Sequence, residues 1–229
     1  MTKELTLRVR RSEGWATYVV RVAPDAYVLD ALEAAARQDS TLLFRHSCHH
    51  ASCGSCGLRV NGRERLACIT KVAEVDRLGR PIVLEPLRNL PLLGDLLVDM
   101  QPLMARLESV GLPPLRARED GGAARALSGS VEEGITRFES CIECGLCVSA
   151  CPVAGSDPRY QWPATLAAAA RLLAEPRGRD PAGVTRLVDG EHGIWRCHGA
   201  FECSEVCPAQ VDPAAAIMGL RQRVLRGQR

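Results

Sequence analysis

Cys48, Cys53, Cys56 and Cys68 stand at C-x4-C-x2-C with a later fourth cysteine. This is the ligand spacing of a plant-type [2Fe–2S] centre. Four thiolates must reach two irons from one tight loop, so the backbone has to wrap close to the sulfurs. Gly54 and Gly57 in HHASCGSCG permit that approach, and the amides between them can donate to sulfur. Zinc is the alternative for four cysteines, but zinc sites usually pair two short knuckles, and only one is present here. A Rieske centre would use Cys48 and His50 as its first ligand pair, and it fails at Lys71, where its second histidine would stand. His46, His49 and His50 are therefore read as exposed loop residues outside the cluster.

Cys141, Cys144, Cys147 and Cys151, followed by Pro152, match the bacterial ferredoxin run C-x2-C-x2-C-x3-C-P. A second run, Cys197, Cys203 and Cys207 before Pro208, keeps the outer spacing but carries Ala200 where a cysteine would complete it. In two-cluster ferredoxins the last cysteine of each run serves the other run's cluster. On that rule Cys141, Cys144, Cys147 and Cys207 hold a [4Fe–4S] cluster, while Cys151, Cys197 and Cys203 make a three-thiolate site suited to [3Fe–4S]. The assignment uses all eleven cysteines and leaves none over. Iron enters only through these cysteines, and no catalytic triad, P-loop or dinucleotide fingerprint accompanies them. The chemistry expected is single-electron transfer, with no catalytic residue on this chain.

Two kinds of element must position these ligands. Leu5–Arg10 and Tyr18–Val22 alternate in character and predict a hairpin turning around Ser12–Trp15; VLDALEAAARQ after Pro24 predicts a crossing helix; LRVNG and PIVLEP predict returning strands. That is a β-grasp plan. From Leu90 onward strand signals give way to Ala, Leu and Arg, and LLGDLLVDMQPLMARLES begins with helical periodicity, with a kink or restart at Pro102. Pro163 and Pro213 are placed to open helices, Ser130 and Glu133 make a capping-box signal, and Gly111–Gly129 reads as a mobile connection. Asp95, Asp99, Glu132 and Glu133 read as solvated helix or capping positions. The fold class expected is α+β: a β-grasp [2Fe–2S] ferredoxin domain over 1–94, then an all-α, bacterial-ferredoxin-like domain over 95–229.

The 229 residues suffice for two domains, and a net charge of +2 with interleaved signs makes nucleic acid an unsuitable partner. MTKELTLRVRR lacks the apolar core of an export signal, and no apolar run approaches the roughly 20 residues needed to cross a bilayer. A membrane attachment would have to come from another subunit.

The motifs SCHHASCGSCGLRVNGRERLACIT, LPLLGDLLVDM, CIECGLCVSACP and IWRCHGAFECSEVCPAQVDPAAAI resemble, nearly end to end, the iron–sulfur subunit of succinate dehydrogenase and fumarate reductase. The resemblance implies a FAD-containing partner where succinate and fumarate interconvert, a membrane anchor where quinone binds, and a peripheral position on the cytoplasmic face of the inner or plasma membrane. It also implies that the three-iron cluster lies nearest the anchor, with His198, directly after Cys197, beside the quinone; the alternative for His198 is an exposed histidine on a turn. Arg196 is read as stabilising a charged semiquinone or a cluster, or as a surface salt-bridge partner of an anchor subunit. The chain departs from the family pattern at His49 and His50, and at Ser156, where some succinate dehydrogenases carry a quinone-contacting tryptophan. CSEVCP with VDPAAAI is fumarate-reductase-like and RCH is dehydrogenase-like, so direction stays open. The competing expectations are an iron–sulfur subunit of another flavoprotein and an autonomous ferredoxin-like carrier.

Overall fold

The computed structural model describes residues 2–77, 80–112, 138–174 and 180–227. It divides into two compact units, Met1–Met100 with Ile142–Ala150, and Gln101–Cys141 with Cys151–Arg229. A cut at 94/95 would have assigned Asp95–Met100 and the segment carrying Cys144 and Cys147 to the helical half.

In the first unit β1 (Lys3–Arg11) and β2 (Gly14–Val22) pair antiparallel, from Lys3 opposite Val22 to Arg11 opposite Gly14. Helix α1 (Val28–Gln38) follows, then β3 (Gly57–Val60), β4 (Arg63–Leu66), the short α2 (Val72–Val75) and β5 (Ile82–Glu85). The sheet order is β2-β1-β5-β3-β4, with β1 and β5 parallel and the other pairs antiparallel. A parallel pair needs a crossover, which α1 begins. Leu5, Leu7 and Val9 alternate onto one face of β1 and are buried with Val20, Leu58, Val60, Ile82 and Leu84; α1 contributes Leu29, Leu32 and Ala35. The Asp30 carboxylate accepts the Tyr27 N–H at 2.7 Å and so satisfies an amide at the helix start.

Strand β4 was not expected from the sequence, since RERL is mostly charged. The Asn61-Gly62 turn, with φ of 49° and 84°, folds it back on β3 as two-residue hairpins require, and the Asn61 side chain bonds Val75 O and Val83 N, both at 2.8 Å.

The helical reading of residues 92–99 is corrected. Leu92–Gly94 (β6) and Leu97–Val98 (β7) form a small antiparallel hairpin. Its turn holds Asp95 at φ 45°, and Asp95 is buried rather than solvated: its carboxylate accepts from Ser12 N and Leu43 N, each at 2.9 Å, and pairs with Arg11 Nε at 3.1 Å. These tertiary partners override a local periodicity in which Leu92 and Leu93 are in fact exposed. Helix α3 (Gln101–Ser109) starts just afterwards, with Pro102 in its first turn, where proline is tolerated.

Further helices among the described residues are α4 (Leu146–Ala150) in the first unit, and α5 (Pro152–Ser156), α6 (Pro163–Ala174), α7 (Pro181–Val188), α8 (Glu202–Glu205) and α9 (Pro213–Leu225) in the second. Pro163 opens α6 and Pro213 opens α9, whose Asp212 side chain accepts the Ala215 N–H at 3.1 Å. The α6 face is alanine-rich, which lets it pack against α9, where Ala214, Ile217 and Leu220 are buried. Arg106 of α3 stacks 3.8 Å above the Trp162 ring. Most of Gly111–Gly129 and the Ser130–Glu133 capping signal, with Glu132, lie outside the described residues. No helix among the described residues is long and apolar enough to cross a membrane.

Candidate iron–sulfur cluster sites

Among the described residues no disulfide involves any of the eleven cysteines. In the first unit the loop after α1 carries Cys48, Cys53 and Cys56, and Cys68 follows β4. The backbone N–H groups of His50, Ser52 and Cys53 point at Cys48 Sγ, at 3.5, 3.3 and 3.4 Å, and that of Ala51 reaches Cys68 Sγ at 3.3 Å. Three amides on one sulfur exceed what a neutral thiol engages and suit a thiolate. They bring the Cys48 thiol down to about 7, the His50 amide first. Burial pushes Cys56 up to about 12, beside Cys68. Bonding to iron is the natural compensation for paired thiolates taken out of water. The donor set therefore fits an iron–sulfur cluster. Gly54, at φ 69°, lies where a Cβ would stand 2.5 Å from Ile142 O and 2.9 Å from Cys144 Cβ, so no other residue fits.

In the second unit Cys151, at the N-terminal end of α5, Cys197, after the 3-10 turn Ile194–Arg196, and Cys203, in α8, act on one another's charge. Burial raises the Cys151 thiol, and it raises Cys203 to about 12, with the charges of Cys151 and Cys197 adding to it. Gly199 N donates to Cys197 Sγ at 3.4 Å. Ala200 is exposed, and Phe201 next to it takes a left-handed φ of 61°.

Two residues that sequence reasoning missed complete this site. The Tyr160 side chain is fully buried, and its hydroxyl has no partner of normal hydrogen-bond geometry among the described residues. Burial first, then the charges of Cys197, Cys151 and Cys203, raise the phenol well above its ordinary range, and Cys197 lies within the hydroxyl's reach. Arg221 of α9 reaches the carbonyl oxygens of Ile194 at 2.6 Å and Cys197 at 2.5 Å. An arginine directly after the buried Leu220 on a helix with one apolar side was the available signal.

The remaining cysteines divide between the units: Cys144 and Cys147 flank the start of α4 in the first, and Cys141 and Cys207 belong to the second. Val211 N donates to Cys207 Sγ at 3.3 Å.

His198 is exposed. Arg196 pairs within its own unit: its Nε lies 3.1 Å from the buried Asp157 carboxylate, which also meets His192 Nδ1 at 2.9 Å and accepts the Arg159 N–H. His192 foremost holds the Asp157 carboxyl below its usual range. His46 and His49 are exposed, as read from the sequence.

A mixed sheet crossed by a helix and followed by a helical cysteine-rich unit defines a two-domain ferredoxin-type iron–sulfur protein. Residues 5–105 match the family model of the 2Fe-2S iron-sulfur cluster binding domain, and residues 137–211 that of the 4Fe-4S dicluster domain. The chain is 40% identical over 184 residues to the fumarate reductase iron-sulfur subunit of Mycobacterium tuberculosis, covering 78% of this chain and 72% of that one. It is 36% identical to the fumarate reductase iron-sulfur subunit of Haemophilus influenzae, over 83% and 76% of the two chains. It is 30% identical to the succinate dehydrogenase iron-sulfur subunit of Coxiella burnetii, over 87% and 84%. Its fold superposes on a chain of the Mycobacterium smegmatis Sdh1 complex in the apo form with a TM-score of 0.88, at 24% identity, over 99% and 98% of the two chains. The chain belongs to the family of succinate dehydrogenase and fumarate reductase iron–sulfur subunits, which are electron-transfer components of an oxidoreductase.

Proposed function

We propose that this chain relays electrons one at a time between a FAD-containing partner, where succinate and fumarate interconvert, and a quinone held at a membrane anchor, with the chain lying peripherally on the cytoplasmic face. In this reading Cys48, Cys53, Cys56 and Cys68 bind [2Fe–2S]; Cys141, Cys144, Cys147 and Cys207 bind [4Fe–4S]; Cys151, Cys197 and Cys203 bind [3Fe–4S]. Clusters of these types, when bound, take up and release electrons singly. The residues of the chain supply thiolates, exclude water from Cys56, Cys68, Cys151 and Cys203, and aim amide N–H groups at Cys48, Cys68, Cys197 and Cys207. Such amides stabilise added negative charge at sulfur.

The observation that carries the reading is the three-thiol group in the second unit, Cys151, Cys197 and Cys203, with Ala200 exposed where a complete run would supply a fourth. A subunit serving another flavoprotein through paired complete runs would not leave that position vacant.

The test is purification from membranes followed by addition of succinate. A FAD-containing polypeptide should accompany the chain, and succinate should reduce its clusters, read by EPR. A lone monomer whose clusters ignore succinate would sink the assignment.

A further inference from the structure

We propose that Glu33, His46 and His49 form a binding site for a divalent transition-metal ion of the zinc class, separate from the cluster cysteines. Glu33 Oε1 lies 3.5 Å from His46 Nδ1 and 3.4 Å from His49 Nε2, and the two nitrogens are 3.2 Å apart. Zinc bonds to imidazole nitrogen or carboxylate oxygen at about 2.0–2.1 Å in tetrahedral geometry, which puts neighbouring ligand atoms about 3.3–3.4 Å apart. The three atoms thus form one face of such a tetrahedron.

Hydrogen bonding alone accounts poorly for the arrangement. A single imidazole N–H can point along one edge of the triangle only, and two of the three edges exceed normal hydrogen-bond length. Two imidazole nitrogens and a carboxylate oxygen, all within 3.5 Å of one another, are a grouping that a cation organises. The charge is suitable too, because one carboxylate and two neutral rings leave a divalent ion partly uncompensated and able to take a water as fourth ligand.

The elements hold the geometry. Glu33 projects from α1, while the histidines lie three residues apart on the loop that follows it. His46 stacks on Phe44, with ring centroids 5.2 Å apart, and His49 takes a left-handed φ of 61°. Glu33 is the least exposed of the three at 27%, while His46 at 39% and His49 at 46% leave the outer side open to solvent. An ion here ties the crossing helix to the residue directly after Cys48. Its role is to brace the loop.

The test uses the full chain with its clusters assembled, equilibrated with zinc ion alone and desalted, with zinc and iron counted by plasma mass spectrometry and the zinc environment read by X-ray absorption. The expected result is about one retained zinc with nitrogen and oxygen neighbours at about 2.0–2.1 Å. Glu33→Gln and His46→Asn should each lose the zinc and keep the iron. Glu33 sits on the helix, so its variant keeps the test valid if a histidine variant fails to assemble its cluster. Zinc with sulfur neighbours at about 2.3 Å, zinc retained equally by both variants, or no zinc surviving desalting would overturn the proposal.

Discussion

Arg221 donates through one guanidinium nitrogen to the Cys197 carbonyl at 2.5 Å and to the Ile194 carbonyl at 2.6 Å, fastening helix α9 to the loop that carries one thiol of the three-cysteine site. Charge-assisted bonds of this kind are worth about 1.5–3 kcal/mol each. Arg221→Met should therefore lower the temperature at which the three-iron EPR signal is lost while sparing the [2Fe–2S] signal. Arg221→Lys should recover only part of that loss, because an ammonium cannot reproduce the planar fork in which Nε, at 2.9 Å, joins the terminal nitrogen on the Ile194 carbonyl. Equal loss of both signals would mean that the residue supports general folding.

Tyr160 offers a finer probe of the same site. Its buried hydroxyl has no partner of normal hydrogen-bond geometry among the described residues and lies within reach of Cys197, so with a cluster bound there it would be placed to donate to sulfur, and such donors raise a cluster's potential. Tyr160→Phe keeps the volume and removes the donor. The midpoint potential of the three-iron centre should fall by an amount on the order of tens of millivolts, with iron content unchanged. An unchanged potential in EPR-monitored titration would remove Tyr160 from the account.

Asp95 tests the first unit. Burial pushes its carboxyl up, but the Leu43 and Ser12 amides and Arg11 outweigh burial and hold it below the usual carboxylate range. A depressed folded value contributes stability that is present above the unfolded value, about 3.9, and is lost as pH falls through the folded one. Asp95→Ala should cost about 1–3 kcal/mol near neutrality, since it leaves the Ser12 and Leu43 amides without their acceptor while Arg11 keeps Asp39 at 2.6 Å. The gap in urea midpoint between the two proteins should narrow toward pH 4 and below. A gap that widens on acidification would contradict this sign.

These residues also mark where sequence reading stopped. The cysteine spacings, the first hairpin, helix α1 and the prolines opening α6 and α9 were legible because each is set by neighbours a few residues apart. Asp95, Tyr160 and Arg221 were not, because their partners lie far away in the chain: Ser12 and Leu43, the three thiols, and the Cys197 loop. The β6–β7 hairpin was misread for the same reason, its periodicity being overridden by a turn that buries Asp95. The Glu33–His46–His49 triangle joins a helix to a loop whose course no local pattern specifies.

His198 is exposed and directly follows Cys197, and on the proposed function it is the residue assigned to meet a quinone oxygen. His198→Ala in the assembled complex should depress quinone-linked turnover while leaving succinate oxidation by a flavin-level artificial acceptor and all clusters intact. Unchanged quinone turnover would return His198 to the surface residues.

The central claim is the division of eleven cysteines into ligand sets of four, four and three, with the last cysteine of each run serving the other run's cluster. Cluster-resolved EPR and Mössbauer spectra of Cys207→Ser and Cys151→Ser test it most directly, taken against the unmodified protein. The unmodified protein should show one [2Fe–2S], one [4Fe–4S] and one [3Fe–4S] centre, with Cys207→Ser perturbing the four-iron centre and Cys151→Ser the three-iron centre. Two four-iron centres in the unmodified protein, or the reverse pattern of perturbation in the variants, would contradict the account.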